Sequence, residues 1–278
     1  MLVAVWIAVA LVVAVGLVRG AGAWRWRRAT HRLVTRLGTA GPPAEGAPVA
    51  EPLPEPVRRW LARQGGAAQR PIAAATLVHD GTFDLGPAQP KWRPFTSRQR
   101  VVTSPPGFVW DARIRAVPGL PVHVYDAFVA GEGQLRASLA GLLPLAQQTG
   151  GGAFGEGELM RFLAEAVWYP TFLLPGGAVH WSPIDSRWAR AELHCGAIHA
   201  ALDFRVDDRG DIDTVRAAAR GRTVGDRLEP TPWLGRFWDH AERHGLRIPL
   251  AGEVGWVLPD GWRPYWRGRI RRVDYEFA

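Results

Sequence analysis

The sequence predicts an α+β fold, in which a curved antiparallel β-sheet, open or a partial barrel, carries two or three packed helices and follows an N-terminal transmembrane helix. Three observations predict it. Period-two alternation of apolar and polar residues recurs between Ile72 and Phe277, as half-buried antiparallel strands require. Stripes of helical period interrupt that series, and strands broken by a helical insertion fit a sheet wrapped over helices. At the N-terminus, the seventeen residues from Leu2 to Val18 carry no charge.

The apolar run comes first. At 1.5 Å per residue it nearly crosses a hydrocarbon layer of roughly 30 Å. Arg19, Trp24, Arg25, Trp26, Arg27 and Arg28 follow it directly, and such aromatics and cations favour the depth of lipid headgroups. A cleaved signal peptide is the rival, with Ala21-Gly22-Ala23 as a small-residue cleavage site, but the basic segment that should precede the apolar run is lacking. The positive charges all lie after the run, so the positive-inside rule favours a single-pass protein of the cell membrane with its soluble domain on the cytoplasmic side. The expected division is a transmembrane helix at 1–20, a basic juxtamembrane segment and Pro/Ala-rich linker at 21–55, and one soluble α+β domain at 56–278.

His31 to Leu37 continues a short basic helix that Gly38 would stop, and Val57, Trp60 and Leu61 have the spacing of a short amphipathic helix. The clearest strands are Phe108 to Ala116 and Ile198 to Val206, the latter joined by Asp207-Asp208-Arg209-Gly210 to a strand at Ile212 to Arg220. Weaker alternation marks Ala74 to Leu85, Phe95 to Thr103, Val122 to Ala130, Trp188 to His194, Glu253 to Leu258 and Tyr265 to Phe277. Gly150-Gly151-Gly152, Gly155 and Gly157 read as a flexible loop. After it, Leu159, Phe162, Leu163, Ala166 and Val167 form a continuous helical stripe that Pro170 ends. Trp233 to His244 reads as a further helix, with Leu234, Phe237 and Trp238 inward and Gly245 as its stop.

Four strings together resemble an uncharacterised bacterial family. They are Pro106-Gly107-Phe108-Val109-Trp110, Glu158 to Pro170, Trp181-Ser182-Pro183-Ile184-Asp185, and Gly245 to Pro249 followed by Trp256. The family is a domain of unknown function, often preceded by a membrane segment, and the resemblance covers Leu53 to Phe277. It implies domain boundaries and no chemistry, so no site residue is carried over from it. At the level of fold, the strand order is similar to periplasmic lipoprotein carriers, whose curved sheets hold acyl chains.

Lys and Arg number 34 against 26 Asp and Glu, but six Arg and three Glu lie in residues 1–56 and Lys91 is the only lysine. The basic balance therefore makes a weak case for a polyanionic partner, and nucleic acid is not favoured. Cys195 stands alone, so no intrachain disulfide forms. Nothing in the sequence specifies an oligomeric state.

Candidate sites are few. Glu158, Arg161 and Glu165 share one helix edge, ordinarily a solvated face, and Trp168 continues it, either at the lip of a cavity or folded onto the sheet. Asp126 in a strand and Asp185 after Trp181 could each pair with Arg161. The candidate ligand-binding set is Trp110, Arg161, Glu165, Trp168, Trp181 and Asp185. A hydrolase would use Asp126, Glu165 and Asp185, though buried structural ion pairs are the commoner arrangement of such groups. His240 and His244 lie four apart without an HExxH motif, and the spacing of His194 and His199 turns one ring from the other, so no metal is expected. No P-loop or dinucleotide fingerprint occurs, and no cofactor is expected. Arg267, Arg269 and Arg271 alternate on one strand face beside Trp262, Tyr265 and Trp266, either a solvated outer face or a lipid-headgroup contact. The expected partners are the lipid bilayer and a hydrophobic or lipid-like ligand. A hydrolase and an interaction scaffold are the alternatives.

Overall fold

The computed structural model describes residues 1–37, 52–65, 70–86, 89–117 and 119–278, so most of the expected linker, residues 38–51, lies outside the described residues. Thirteen antiparallel strands form one curved sheet, a half-barrel, in the order β6-β5-β4-β3-β2-β1-β13-β12-β11-β10-β9-β8-β7. The chain starts at the middle with β1 (Ile72–Asp84) and meanders outward through β2 (Trp92–Thr103), β3 (Pro106–Val117), β4 (Leu120–Val129), β5 (Glu132–Leu139) and β6 (Leu143–Gly150). It then crosses the concave face in α3 (Gly152–Glu165) and two short 3₁₀ turns, Ala166–Trp168 and Pro170–Leu173. From the far edge it returns through β7 (Val179–Pro183), β8 (Trp188–Cys195), β9 (Ile198–Val206), β10 (Ile212–Val224), β11 (Arg227–Arg243), β12 (Leu246–Leu258) and β13 (Gly261–Phe277). β13 pairs with β1 and closes the sheet at its centre.

Alternation explains the two faces. Phe108, Trp110, Ala112 and Ile114 of β3 point into the concave core, where they meet the α3 stripe of Leu159, Phe162, Leu163, Ala166 and Val167, all buried. A short helix α2 (Glu55–Leu61) closes one end of this core through Val57 and Trp60.

The convex face is not simply solvated. The chain opens with one helix, α1 (Leu2–Leu37), thirty-six residues long, and its second half lies on β2, β3 and β4. Leu33 and Leu37 form a second small core with Ala74, Val102, Val109, Ala127 and Val129. Trp26 is 3% exposed, which corrects its assignment to a membrane interface. Its ring lies 5.3 Å from both His123 and Tyr125, and its Nε1 donates to Asp111 at 2.8 Å. An indole N–H and a carboxylate beneath a helix need each other, which is why both are found there. The second half of α1 therefore packs as part of the folded body. Among the described residues no helix is long and apolar enough to cross a membrane, so the expected span is not shown.

Gly22 packs so closely on the β5–β6 turn that a Cβ there would stand 2.2 Å from the Ala140 carbonyl, and the Arg19 guanidinium reaches Gly119 in the β3–β4 turn. The N-terminal half of α1 thus leaves the sheet at the end marked by these turns, with Leu2, Val3, Val5, Trp6, Ile7, Val9, Val13, Leu17 and Val18 exposed. At the same end lie the exposed side chains of Leu85, Val117, Leu120, Leu143, Leu145, Val224 and Val257.

Three other expectations are corrected. Trp233 to His244 is not a helix but most of β11, with Trp233 and Phe237 inward, Leu234 only partly buried and Trp238 exposed. Gly245 is not a helix stop; His244 at φ 53° and Gly245 at φ 75° make a two-residue turn with positive φ at both positions. The glycine-rich stretch is not a loop beyond Gly151, because α3 begins at Gly152, and a Cβ on Gly155 would press on Ile198 Cδ1 at 3.0 Å.

Candidate functional site: a half-barrel cavity with a charged inner wall

Where α3 crosses the sheet, its apolar stripe fills one side of the concavity and leaves a cavity of about 330 Å³ beside its other edge. That edge carries Glu158, Arg161 and Glu165, so the helical spacing legible in the sequence places all three together, though buried and not solvated. The opposite walls are apolar and aromatic: Trp110, Val124, Leu135, Trp233, Phe237, Val254, Trp256 and Trp266 from the strands, and Phe154 and Trp168 from the crossing segment. Phe83, Thr223 and Leu228 stand close to strand ends on the rim side, near the exposed Leu85 and Val224.

Arg161 is the centre of the charged wall. Its Nη1 donates to Asp126 Oδ2 at 2.5 Å and its Nε to Glu165 Oε1 at 2.8 Å, and its guanidinium stacks over Phe108 and Trp110. Gln99 Nε2 donates to the other oxygen of Glu165. A second guanidinium, Arg220, donates from Nε to the Gly157 carbonyl at 3.0 Å and from Nη1 to the Tyr265 hydroxyl at 3.2 Å. Trp233 Nε1 donates to the same hydroxyl at 3.0 Å, and Arg220 lies over the rings of Trp233 and Trp256. Its Nη2 comes no nearer than 3.7 Å to Glu158.

Burial governs the electrostatics. Desolvation and the neighbouring Asp126 charge push the Glu158 carboxyl up to about 8, against the pull of Arg220 and Arg161. Desolvation also raises Asp126, although Arg161 opposes it, and the carboxylates hold Arg161 firmly protonated despite its burial. Behind the wall, His79 is buried against Trp168 and Trp266, and desolvation with the Arg161 charge lowers its pKa to about 3, so it is neutral.

The structure brings together Trp110, Asp126, Arg161, Glu165 and Trp168. Trp168 is 3% exposed and folded onto the sheet, its Nε1 donating to the Pro249 carbonyl at 3.1 Å, yet its ring still forms cavity wall. Two predicted residues are elsewhere. Trp181 is buried in the core against Phe204 and donates to the Leu173 carbonyl at 2.9 Å. Asp185 occupies the exposed turn between β7 and β8, where it accepts the Arg187 and Trp188 amides, both at 2.8 Å, and those bonds lower its pKa. It cannot join Asp126 and Glu165 in acid/base work, and those two grip one guanidinium between them.

Arg220 was missed for a specific reason. Counting inward positions from Val215 and Ala217 turns Arg220 outward, but a register shift between Ala217 and Arg220 in the β10–β11 pairing reverses its face. Gln99, Trp233 and Tyr265 lie on strands whose sequence gave no sign of the cavity.

The remaining candidates resolve into structural contacts. His194 and His199 are cross-strand partners with stacked rings 4.5 Å apart, not turned from each other, because a two-residue turn puts them on one face. The Nε2 atoms of His240 and His244 bond the carbonyls of Ile212 and Val273, both at 2.9 Å. Among the described residues no group of three or more His, Cys, Asp and Glu is placed to hold a metal ion. Arg267, Arg269 and Arg271 pair with Glu253, Asp239 and Asp80 along the outer face.

No curated protein matches the chain in sequence. Among solved structures, a LolA superfamily protein from Nitrosomonas europaea is similar at 10% identity and a TM-score of 0.38, over 83% of this chain and 94% of that one. A β-barrel-like protein of the domain of unknown function DUF1849 from Brucella abortus is similar at 11% identity and a TM-score of 0.19, over 74% of this chain and 99% of that one. The sequence profile of a family of unknown function, DUF6920, matches residues 51–275, and the chain belongs to that family.

Proposed function

We propose that this chain is a membrane-tethered binding protein that holds a hydrophobic or lipid-like ligand in the half-barrel cavity without covalent chemistry. One observation carries the reading: a cavity of about 330 Å³, within the range of small-molecule sites, with walls mostly of Trp, Phe, Val and Leu and a smaller set of polar and charged groups. A filled scaffold would lack it. A hydrolase reading loses its third carboxylate with Asp185 in an exposed turn, and Arg161 holds the other two in ion pairs.

The uncharged run from Leu2 to Val18, with its arginines on the C-terminal flank, supports insertion of the first half of α1 into a bilayer with the domain on the cytoplasmic side. The exposed apolar side chains at the end where α1 departs, Leu143 and Leu145 foremost, support a cavity rim that faces the same bilayer.

The test is mass spectrometry of lipid extracted from the purified full-length chain, beside a Leu228→Trp variant that fills the cavity mouth. A lipid that co-purifies with the wild type and is depleted in the variant supports the proposal. Equal lipid in both, or no binding of any added amphiphile, overturns it. A reporter fused after Ala278 tests the orientation, since periplasmic activity would reverse it.

A further inference from the structure

The charged wall holds two buried carboxylate oxygens that nothing among the described residues satisfies. Three carboxylates, Asp126, Glu158 and Glu165, face two guanidiniums, Arg161 and Arg220, all with side chains at most 17% exposed. Both guanidiniums are already committed. Arg161 is clamped between Asp126 and Glu165, and Arg220 is spent on the Gly157 carbonyl and the Tyr265 hydroxyl. Among the described residues, Glu158 Oε2 and Asp126 Oδ1 are buried and have no hydrogen-bond partner. Both residues line the cavity. These two orphan oxygens call for donors, and a donor that is also a cation would draw Glu158 into its charged form.

We propose that the cavity takes an amphiphile whose head is a protonated primary amine, seated between Glu158 and Asp126, with its apolar part along Phe83, Leu228, Val254 and Trp256. The assignment rests on the reading of the cavity as a ligand site and adds its head-group chemistry. An anionic head would meet three carboxylates, while the arginines of the lining are already engaged, Arg161 and Arg220 by cation–π stacking and hydrogen bonds and Arg222, nearer the rim, by Thr231 and Glu229. A trimethylammonium head brings charge but no N–H, and would leave both oxygens unsatisfied. Simple alkylamines and ethanolamine phospholipids share the required chemistry.

The same geometry predicts a proton signature. Without a cation beside it, Glu158 is held protonated at neutral pH by burial and by Asp126. Bound ammonium reverses that, so binding releases a proton to buffer. The groups facing Glu158 are Asp126 on β4, Arg161 and Glu165 on α3, and Arg220 on β10, with Tyr265 on β13 beyond it.

Binding to the full-length chain in a non-ionic detergent is read by intrinsic tryptophan fluorescence and calorimetry. The probes are dodecylamine, dodecyltrimethylammonium, laurate, and lysophospholipids with ethanolamine or choline heads. Dodecylamine is expected to bind at least about tenfold tighter than laurate and the trimethylammonium probe, with about one proton released at pH near 7 when two buffers are compared. Tight ethanolamine lysophospholipid with weak dodecylamine would keep the head group and name a phospholipid as its source. Glu158→Gln is expected to lose about tenfold for the amine and nothing for laurate. Laurate binding as tightly as the amine, or amine binding without proton release, overturns the head-group assignment while leaving the cavity reading intact. Failure of every probe to bind overturns both.

Discussion

Replacing Arg161 with methionine tests whether the charged wall is the buried structure described above. Methionine keeps an apolar stem between Phe108 and Trp110 and removes only the guanidinium. Two bonds, of 2.5 and 2.8 Å, disappear. Asp126 and Glu165, whose side chains are 12% and 13% exposed, then stand beside each other without a cation. Breaking a buried pair by removing one partner costs about 3–5 kcal/mol, whereas a surface pair costs about 0–1 kcal/mol. Against a total stability of about 5–15 kcal/mol this is a large fraction. With a urea slope of about 2–3 kcal/mol per molar, the midpoint falls by about 1–2 M. The loss depends on pH. Burial already raises the Asp126 carboxyl against the pull of Arg161, so without Arg161 it titrates higher still in the folded chain, and stability is kept below its ordinary range and lost as pH rises through the raised folded value. The deficit is therefore larger at about pH 8 than at about pH 5. Urea unfolding of the full-length chain in detergent, followed by tryptophan fluorescence at both pH values, measures it. The triple variant with Asp126→Asn and Glu165→Gln should recover most of the loss. A deficit below about 1 kcal/mol, equal at both pH values, would refute the buried pair.

Three more outcomes follow from the packing of these groups. Glu158 sits near 8 in the folded chain against an ordinary 4.5, so wild-type stability should fall as pH rises between those values. Glu158→Gln should flatten that fall, and a wild-type profile already flat over this window would contradict the burial of the group. Trp26→Ala should undock the second half of α1 by removing a buried indole and its bond to Asp111, a change worth about 3–5 kcal/mol at a core site. Limited trypsin digestion at Arg25, Arg27 and Arg28 reads this directly, and unchanged protection would count against helix docking. At Gly81, where β1 meets β13, a Cβ would lie 1.9 Å from the Arg267 carbonyl, so Gly81→Ala should cost at least about 1–3 kcal/mol in thermal unfolding. An unchanged midpoint would show that this central join is looser than described.

Legibility in the sequence followed the physics of each element. β3 and β9 announce themselves because one face is core and the other is polar, and α3 because its apolar stripe is continuous. β6 gives no alternation because it is an edge strand with most residues exposed. β11 misleads because Trp233 and Phe237, four apart, suit a helix turn and a strand face alike, and because left-handed glycine serves helix stops and tight hairpins equally. In α1, Trp26, Thr30, Leu33 and Leu37 carry the spacing of a docking face, but arginines between them draw attention to the membrane instead. Of the site, Asp126, Arg161 and Glu165 could be paired from sequence only as alternatives. Arg220 needed the bulge that turns it inward.

The unbroken run of α1 from Leu2 to Leu37 makes it a shaft and not a leash. With its first half in a bilayer as proposed, the eight helical steps from Val18 to Trp26 set the docking point of the sheet about 12 Å from the end of the apolar run and fix the compass direction of the cavity mouth. One residue inserted between them would swing the half-barrel by about 100° around the shaft while lifting it only about 1.5 Å. Access to ligand would then vary with the angular phase of the insertion and hardly with its length.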